Sequence, residues 1–157
     1  MLTKRFEFDW VLINELAVGP APRTERHIKT LIDNGFRGIL SLCSENEVSP
    51  PPIPSNNIVS RRCVLPDHSY GRDPTDDEIT SALQELKYLK SCGPVYVHCK
   101  AGIERSPLIC IGWLTMEKGL SVQSALDYLM RAHPGTNPLS SHLMMLEKTL
   151  VKRGSMQ

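Results

Sequence analysis

Residues Tyr96 to Pro107 read YVHCKAGIERSP. The short apolar run Pro94 to His98 has the make-up of a buried strand, and it ends on a cysteine, Cys99. Behind the loop, Ser106 to Lys118 is almost entirely apolar and reads as a buried helix, with Pro107 tolerated in its first turn and Gly119 ending it. The stretch is therefore strand, loop, helix N-terminus, with a thiol at one end of the loop and the guanidinium of Arg105 at the other.

Working outward, Phe8 to Val18 reads as one or two short strands, and Thr24 caps a helix that reaches Asn34 and stops at Gly35. Arg37 to Cys43 and Ile58 to Leu65 read as strands, separated by SPPPIPSNN (Ser49 to Asn57), a proline run that excludes helix and central strand. After the polar loop PDHSYGRDP, Thr75 and Glu78 form a T-x-x-E capping box. Ile79, Ala82, Leu83, Leu86 and Leu89 then keep a helical period. Two more helices are expected, Val122 to Ala132 and about Leu139 to Val151. Strands alternating with helices predict an α/β fold, a central mostly parallel sheet flanked by helices. In such sheets ligands sit beyond the carboxyl ends of the strands, which is where the quoted loop falls. The 157 residues, 1–157, read as one domain with its core between about 8 and 151.

A loop of this kind can turn its N–H groups inward and form an anion nest reinforced by the helix dipole. A cysteine at the strand end of the nest is stabilised as thiolate, so Cys99 becomes nucleophilic at neutral pH. The planar fork of Arg105 suits two oxygens of a phosphoryl group. Phosphorus then faces the sulfur, as in-line transfer through a phosphocysteine requires. Gly102 allows the tight turn, and Ser106 can donate to the sulfur and help it leave. The competing reading is a buried structural cysteine beside an ordinary helix-start arginine.

The run His98-Cys99, five residues, Arg105-Ser106 resembles the HC-x5-R-[ST] signature of the cysteine-based protein tyrosine phosphatases, and the short chain resembles their dual-specificity branch. The resemblance covers Trp10 to about Leu150. It implies a dual-specificity phosphatase-like fold, with Cys99 as nucleophile and Arg105 and the loop amides of Lys100, Ala101, Gly102, Ile103, Glu104 and Arg105 as phosphate ligands. His98 would support the loop through hydrogen bonds to backbone. It also implies an aspartate on an upstream loop as general acid, since an expelled alkoxide or phenoxide needs a proton. Asp67, in the context PDH, is the first candidate and Asp73 the second. Asp76 and Asp77 belong to the helix N-terminus, and His68 reads as a solvent-facing neighbour. Cys43, in ILSLCSEN, resembles a cysteine of the phosphatase-and-tensin lipid enzyme that pairs with the nucleophile on oxidation; the alternative is a small buried side chain.

HCKAG is shared with the lipid enzymes, but Ile103 and Glu104 stand where those carry a second base. A carboxylate at the rim would repel polyanionic head groups, unless Glu104 points outward into solvent. RAHPGTNP (Arg131 to Pro138) resembles a loop that abuts the family's site, without its water-positioning glutamine; His142 or Ser141 stands nearby. His133 and His142 are expected to serve surface or packing only.

The formal net charge is +1, so no broad nucleic-acid surface is expected. Five cysteines, at 43, 63, 92, 99 and 110, form neither a disulfide framework nor a zinc spacing. The charged start MLTKRFEFDW lacks a signal core, no apolar run is long enough to span a membrane, and the expected compartment is the cytoplasm. The expected activity is metal- and cofactor-free hydrolysis of phosphate monoesters, with phosphorylated tyrosine, serine or threonine of proteins as substrate. The alternatives are a phosphatase for a non-protein phosphate (an inositide, a sugar phosphate or an RNA 5′ end) and a catalytically dead phosphoresidue-binding module.

Overall fold

The structure, a computed structural model, describes residues 5–54 and 56–154. Residues 1–4 of the charged start and Ser55 of the proline-rich stretch lie outside the described residues. In chain order the elements are β1 (Asp9–Leu12), β2 (Leu16–Gly19), α1 (Glu25–Asp33), β3 (Gly38–Ser41), β4 (Val59–Arg62), a 3-10 turn (His68–Tyr70), α2 (Asp76–Lys90), β5 (Val95–His98), α3 (Arg105–Lys118), α4 (Val122–Ala132) and α5 (Ser140–Lys152).

The sheet runs β1-β2-β5-β3-β4. β1 and β2 pair antiparallel, and every other neighbour pair is parallel. The fold is thus α/β with a mostly parallel five-stranded sheet flanked by helices. The expected segment Phe8 to Val18 resolves into two strands, and the chain reverses at Asn14 with φ of 62°, a conformation asparagine tolerates.

Because side chains alternate across a strand, β5 serves two cores. Val95 and Val97 enter the larger one, with Leu16, Val18 and Leu40 and the buried faces of α2, α3, α4 and α5. Tyr96 points to the opposite face, where Ala17, Ile39, Phe36 and the α1 residues Ile28 and Leu31 form the smaller core. Helix α3 is buried from Arg105 through Thr115, which is why its sequence shows no polar face.

Caps fix where the helices begin. Thr24 accepts from the His27 N–H, Thr75 and Glu78 form the expected capping box, and Ser121 caps α4. Helices α3 and α5 differ: their N-cap residues, Glu104 and Leu139, make no side-chain cap hydrogen bond, although Glu104 has the polar atoms to do so. The first-turn N–H groups of α3 are left for whatever sits before them.

The parallel strands end together. Gly19 and Ser41 are both in register with His98, and the Leu42 N–H bonds the His98 carbonyl at 2.9 Å. The Leu65 N–H bonds Leu42 O at 3.0 Å. The segments after β2, β3, β4 and β5 therefore meet at one edge of the sheet, around Cys99.

Candidate active site

The loop from Cys99 to Arg105 is held by its carbonyls. Cys99 O accepts from His98 Nδ1 at 3.0 Å and Gly102 O from His133 Nε2 at 2.7 Å. Lys100 O accepts from Ala21 N at 3.2 Å, Ile103 O from Asn137 N at 2.9 Å, and Glu104 O from Leu108 N at 3.2 Å. In a trans peptide the C=O and the next N–H point opposite ways. Fastening these carbonyls outward turns the N–H groups of Lys100, Ala101, Ile103, Glu104 and Arg105 toward the concave side, which makes a nest for an anion.

Gly102 is required at its position twice over. Its φ is 77°, and a Cβ there would lie 2.7 Å from the carbonyl carbon and oxygen of Gly19. The loop rests directly on the backbone where β2 ends.

Cys99 is 2% exposed, with Sγ 3.3 Å from Ser106 Oγ. Burial pushes its pKa up, but the Ser106 hydroxyl and N–H, the Arg105 charge and the Gly102 N–H outweigh it, and the pKa falls below the ordinary thiol value. His98 is the last residue of β5, directly before Cys99. Burial lowers its pKa to about 4, against the opposing pull of the Cys99 carbonyl, so the ring is neutral. Its Nδ1–H donates to that carbonyl, and its Nε2 accepts from Ser41 Oγ at 2.7 Å. The expected loop-supporting contact of His98 is therefore present. Cys43 is buried at the end of β3, its Sγ 4.0 Å from His98 Nδ1. Burial raises its pKa, and it lies close enough to Cys99 for the two charges to oppose each other.

Arg105 is 3% exposed. Its fork is held by Glu47, with Nη2 to Oε1 at 2.8 Å and Nη1 to Oε2 at 3.1 Å, and by Leu65 O at 3.1 Å. Its Nε is buried without a partner. A buried, charged donor left unmade is costly unless an acceptor arrives; a phosphoryl oxygen is an acceptor of the right kind. Sequence reasoning missed Glu47. The local signal was there, since Ser44 and Glu47 bond each other reciprocally in an S-x-x-E pattern. Its partner 58 residues away was not legible.

Asp67 stands opposite, with Oδ2 4.0 Å from Arg105 Nη2. It N-caps the 3-10 turn, accepting from Ser69 N at 2.9 Å and Ser69 Oγ at 2.5 Å. The Ser69 hydroxyl chiefly, then its N–H and the Arg105 charge, lower the Asp67 pKa despite partial burial. Asp73, the second candidate acid, is turned to α5, its Oδ1 3.6 Å from His142 Nε2. Asp76 sits in the first turn of α2, but its carboxylate accepts from Thr149 and Lys152 of α5, a structural task that ties the two helices.

Three expectations need correction. His133 is not confined to packing: its ring is clamped between Asp9 Oδ2 at 2.6 Å and the Gly102 carbonyl at 2.7 Å, because the turn after α4 folds beneath the loop. His142, by contrast, is buried at the start of α5 in the packing role expected of it, with Nε2 3.6 Å from Asp73 Oδ1. Glu104 neither borders the nest as a free charge nor points into solvent. Its carboxylate takes His68 Nδ1 at 2.7 Å and His68 N at 3.3 Å, so His68 is also more than a solvent-facing neighbour.

A buried thiol of lowered pKa in an anion nest at the carboxyl edge of a parallel sheet, with the unpartnered Nε of a buried arginine beside it, is the constellation of the cysteine-based phosphatases. The family model of the dual specificity phosphatase catalytic domain matches residues 42–149, and the chain belongs to that family. It is 36% identical over 93 residues to dual specificity protein phosphatase 5 of Homo sapiens, covering 51% of this chain and 24% of that protein. It is 25% identical over 126 residues to the phosphatidylglycerophosphate phosphatase PTPMT2 of Arabidopsis thaliana, covering 80% of this chain and 55% of that one. The fold also matches the crystal structure of PTPMT1 in complex with PI(5)P, with a TM-score of 0.80, 21% identity and coverage of 94% and 97% of the two chains. The chain spans about a quarter of the length of the dual specificity relatives it matches.

Proposed function

We propose that the protein is a cysteine-dependent phosphatase that hydrolyses phosphate monoesters on proteins, at tyrosine and at serine or threonine. The observation that carries the reading is the buried Arg105 Nε, unpartnered beside a nest whose N–H groups surround a thiol of lowered pKa. A phosphoryl group answers all of these donors at once.

In the first step the Cys99 thiolate attacks phosphorus, the P–O bond to the leaving group breaks, and Asp67 gives that oxygen its proton. Arg105 and the amides of Lys100, Ala101, Gly102, Ile103, Glu104 and Arg105 hold the three phosphoryl oxygens. Ser69 favours the Asp67 carboxylate. A bound dianion opposes a second negative charge and favours the acid form, as the first step needs. In the second step Asp67, now carboxylate, takes a proton from water. The water oxygen bonds phosphorus, and the sulfur leaves as thiolate, aided by the Ser106 hydroxyl. Nothing in these steps calls on a metal or cofactor. Because catalysis uses a free thiolate, a reducing compartment suits it, and we place it in the cytoplasm; among the described residues no helix is long and apolar enough to cross a membrane.

The protein-substrate reading is supported by the relatives named as dual specificity protein phosphatases at 32–36% identity and by Glu104, an acid in the loop. A second reading, a phospholipid phosphate monoester, is supported by the two phosphatidylglycerophosphate phosphatases that match 76–80% of the chain. The deciding experiment is metal-free hydrolysis of para-nitrophenyl phosphate, inhibited by vanadate and abolished in Cys99→Ser, followed by a panel of phosphopeptides and phosphatidylglycerophosphate vesicles. Turnover that survives Cys99→Ser refutes the mechanism; release of phosphate from the vesicles alone refutes the protein substrate. Asp67→Asn should slow phosphotyrosine far more than nitrophenyl phosphate, and equal losses would remove Asp67 from the acid role.

A further inference from the structure

The residue that follows the candidate acid and the residue that precedes the phosphate-binding arginine are bonded to each other. His68 Nδ1 lies 2.7 Å from Glu104 Oε1, and the His68 N–H reaches Glu104 Oε2 at 3.3 Å. One carboxylate thus spans a backbone and a ring donor of the same residue. The two loops are otherwise remote in sequence, 36 positions apart. Glu104 is itself the N-cap residue of α3, yet its side chain caps nothing in that helix; it reaches across instead.

The far end of the acid loop has its own restraints. Arg72 forms a two-pronged pair with Glu78 on α2, at 2.8 and 3.0 Å, and Asp73 lies against His142 of α5. At the near end, the Asp67 carboxylate is only at 4.0 Å from Arg105, too far for a hydrogen bond. The groups charged or titratable around Glu104 are His68, His142 and, through the loop, Arg105 and Asp67.

We propose that Glu104 is a positioning residue that latches the acid loop over the phosphate nest through His68, and so sets where Asp67 stands when it gives up its proton. The inference rests on the phosphatase reading and on Asp67 as the acid. It also explains why an acidic residue is tolerated beside a site for dianions: its charge is taken up by two donors rather than left facing the nest.

The latch acts only on proton delivery, so its loss should depend on the leaving group. A positioned general acid contributes about 10²–10⁴ in rate, and an acid that is present but loosely held forfeits part of that. In Glu104→Ala and in His68→Ala, kcat/KM on a phosphotyrosine peptide should fall about tenfold relative to kcat/KM on para-nitrophenyl phosphate. Rates are normalised to the Cys99 thiolate titrated with iodoacetate, so an unfolded fraction does not enter. The double variant should shift that ratio no further than either single one, because both break the same contact. An unchanged ratio in either single variant, or shifts that multiply in the double, overturns the latch. If the unaltered protein hydrolyses neither substrate, the phosphatase reading falls and the latch with it; turnover with a flat ratio removes the latch alone.

Discussion

Replacing Glu47 with glutamine keeps the shape of the side chain and removes one charge from the pair that aims Arg105. Glutamine retains one oxygen to accept from the guanidinium and turns an NH2 toward the other donor. Two bonds between opposite charges, at 2.8 and 3.1 Å, become one bond from the guanidinium to a neutral oxygen and one donor–donor contact. Hydrogen bonds to charged groups contribute about 1.5–3 kcal/mol each, and breaking a fully buried pair costs about 3–5 kcal/mol. Glu47 is partly open to water and Arg105 keeps its bond to Leu65 O, so the net loss should be nearer 2–3 kcal/mol. On kcat/KM that is roughly a 30- to 150-fold decrease. For a chain of this size about 2 kcal/mol lowers Tm by roughly 4–8 °C. The pH dependence has a definite sign. The Arg105 hydrogen bonds hold the folded Glu47 pKa below its ordinary value. Its contribution is therefore full above the unfolded value of about 4.3 and fades as pH falls through the lowered folded value. The Tm gap between the protein and Glu47→Gln should be full at pH 7, begin to narrow below about pH 4.3 and close only once the pH lies below the lowered folded value. The assay is thermal unfolding across pH beside vanadate-sensitive hydrolysis at pH 7. Activity within twofold of the unaltered protein, with a Tm gap that does not change with pH, would refute the argument that Glu47 aims the arginine.

Ser106→Ala removes the hydroxyl that heads the groups lowering the Cys99 pKa; the pH midpoint of iodoacetate inactivation should move upward, and an unmoved midpoint would count against the hydroxyl's part. The same variant should release phosphate from phosphocysteine about tenfold more slowly in single-turnover measurements, from the loss of roughly 1.4 kcal/mol of donation to the leaving sulfur. Gly102→Ala places a methyl 2.7 Å from the Gly19 backbone at a φ of 77°, which costs at least about 1–2 kcal/mol for the backbone alone. Vanadate affinity should drop with it, and wild-type affinity would mean that the loop does not rest on β2. Under peroxide, Cys43→Ser should recover less activity on adding thiol than the unaltered protein does, since Cys43 can expel hydroxide from oxidised Cys99 and shield it as a disulfide; equal recovery would leave Cys43 a packing residue.

The strand, loop and helix around Cys99 could be read from the chain because their determinants are local. An apolar run, a glycine, and a helix without a polar face lie within a few residues of one another, and the five-residue spacing of Cys99 and Arg105 is set by the loop itself. The capping box at Thr75 and the α/β alternation were legible for the same reason. What surrounds the loop was not. Glu47, Asp9, His133 and Glu104's hold on His68 are contacts between side chains separated by 36 to 124 positions. No periodicity encodes such pairs; they arise only when β2, β3, β4 and β5 end at the same edge of the sheet and α4 turns beneath it. A histidine in RAHPG reads as polar surface until a backbone carbonyl and a carboxylate are brought to its two nitrogens. The sequence determined which groups can do the chemistry. The tertiary structure decided which way they point, because hydrogen-bond direction is fixed by neighbours that only folding supplies.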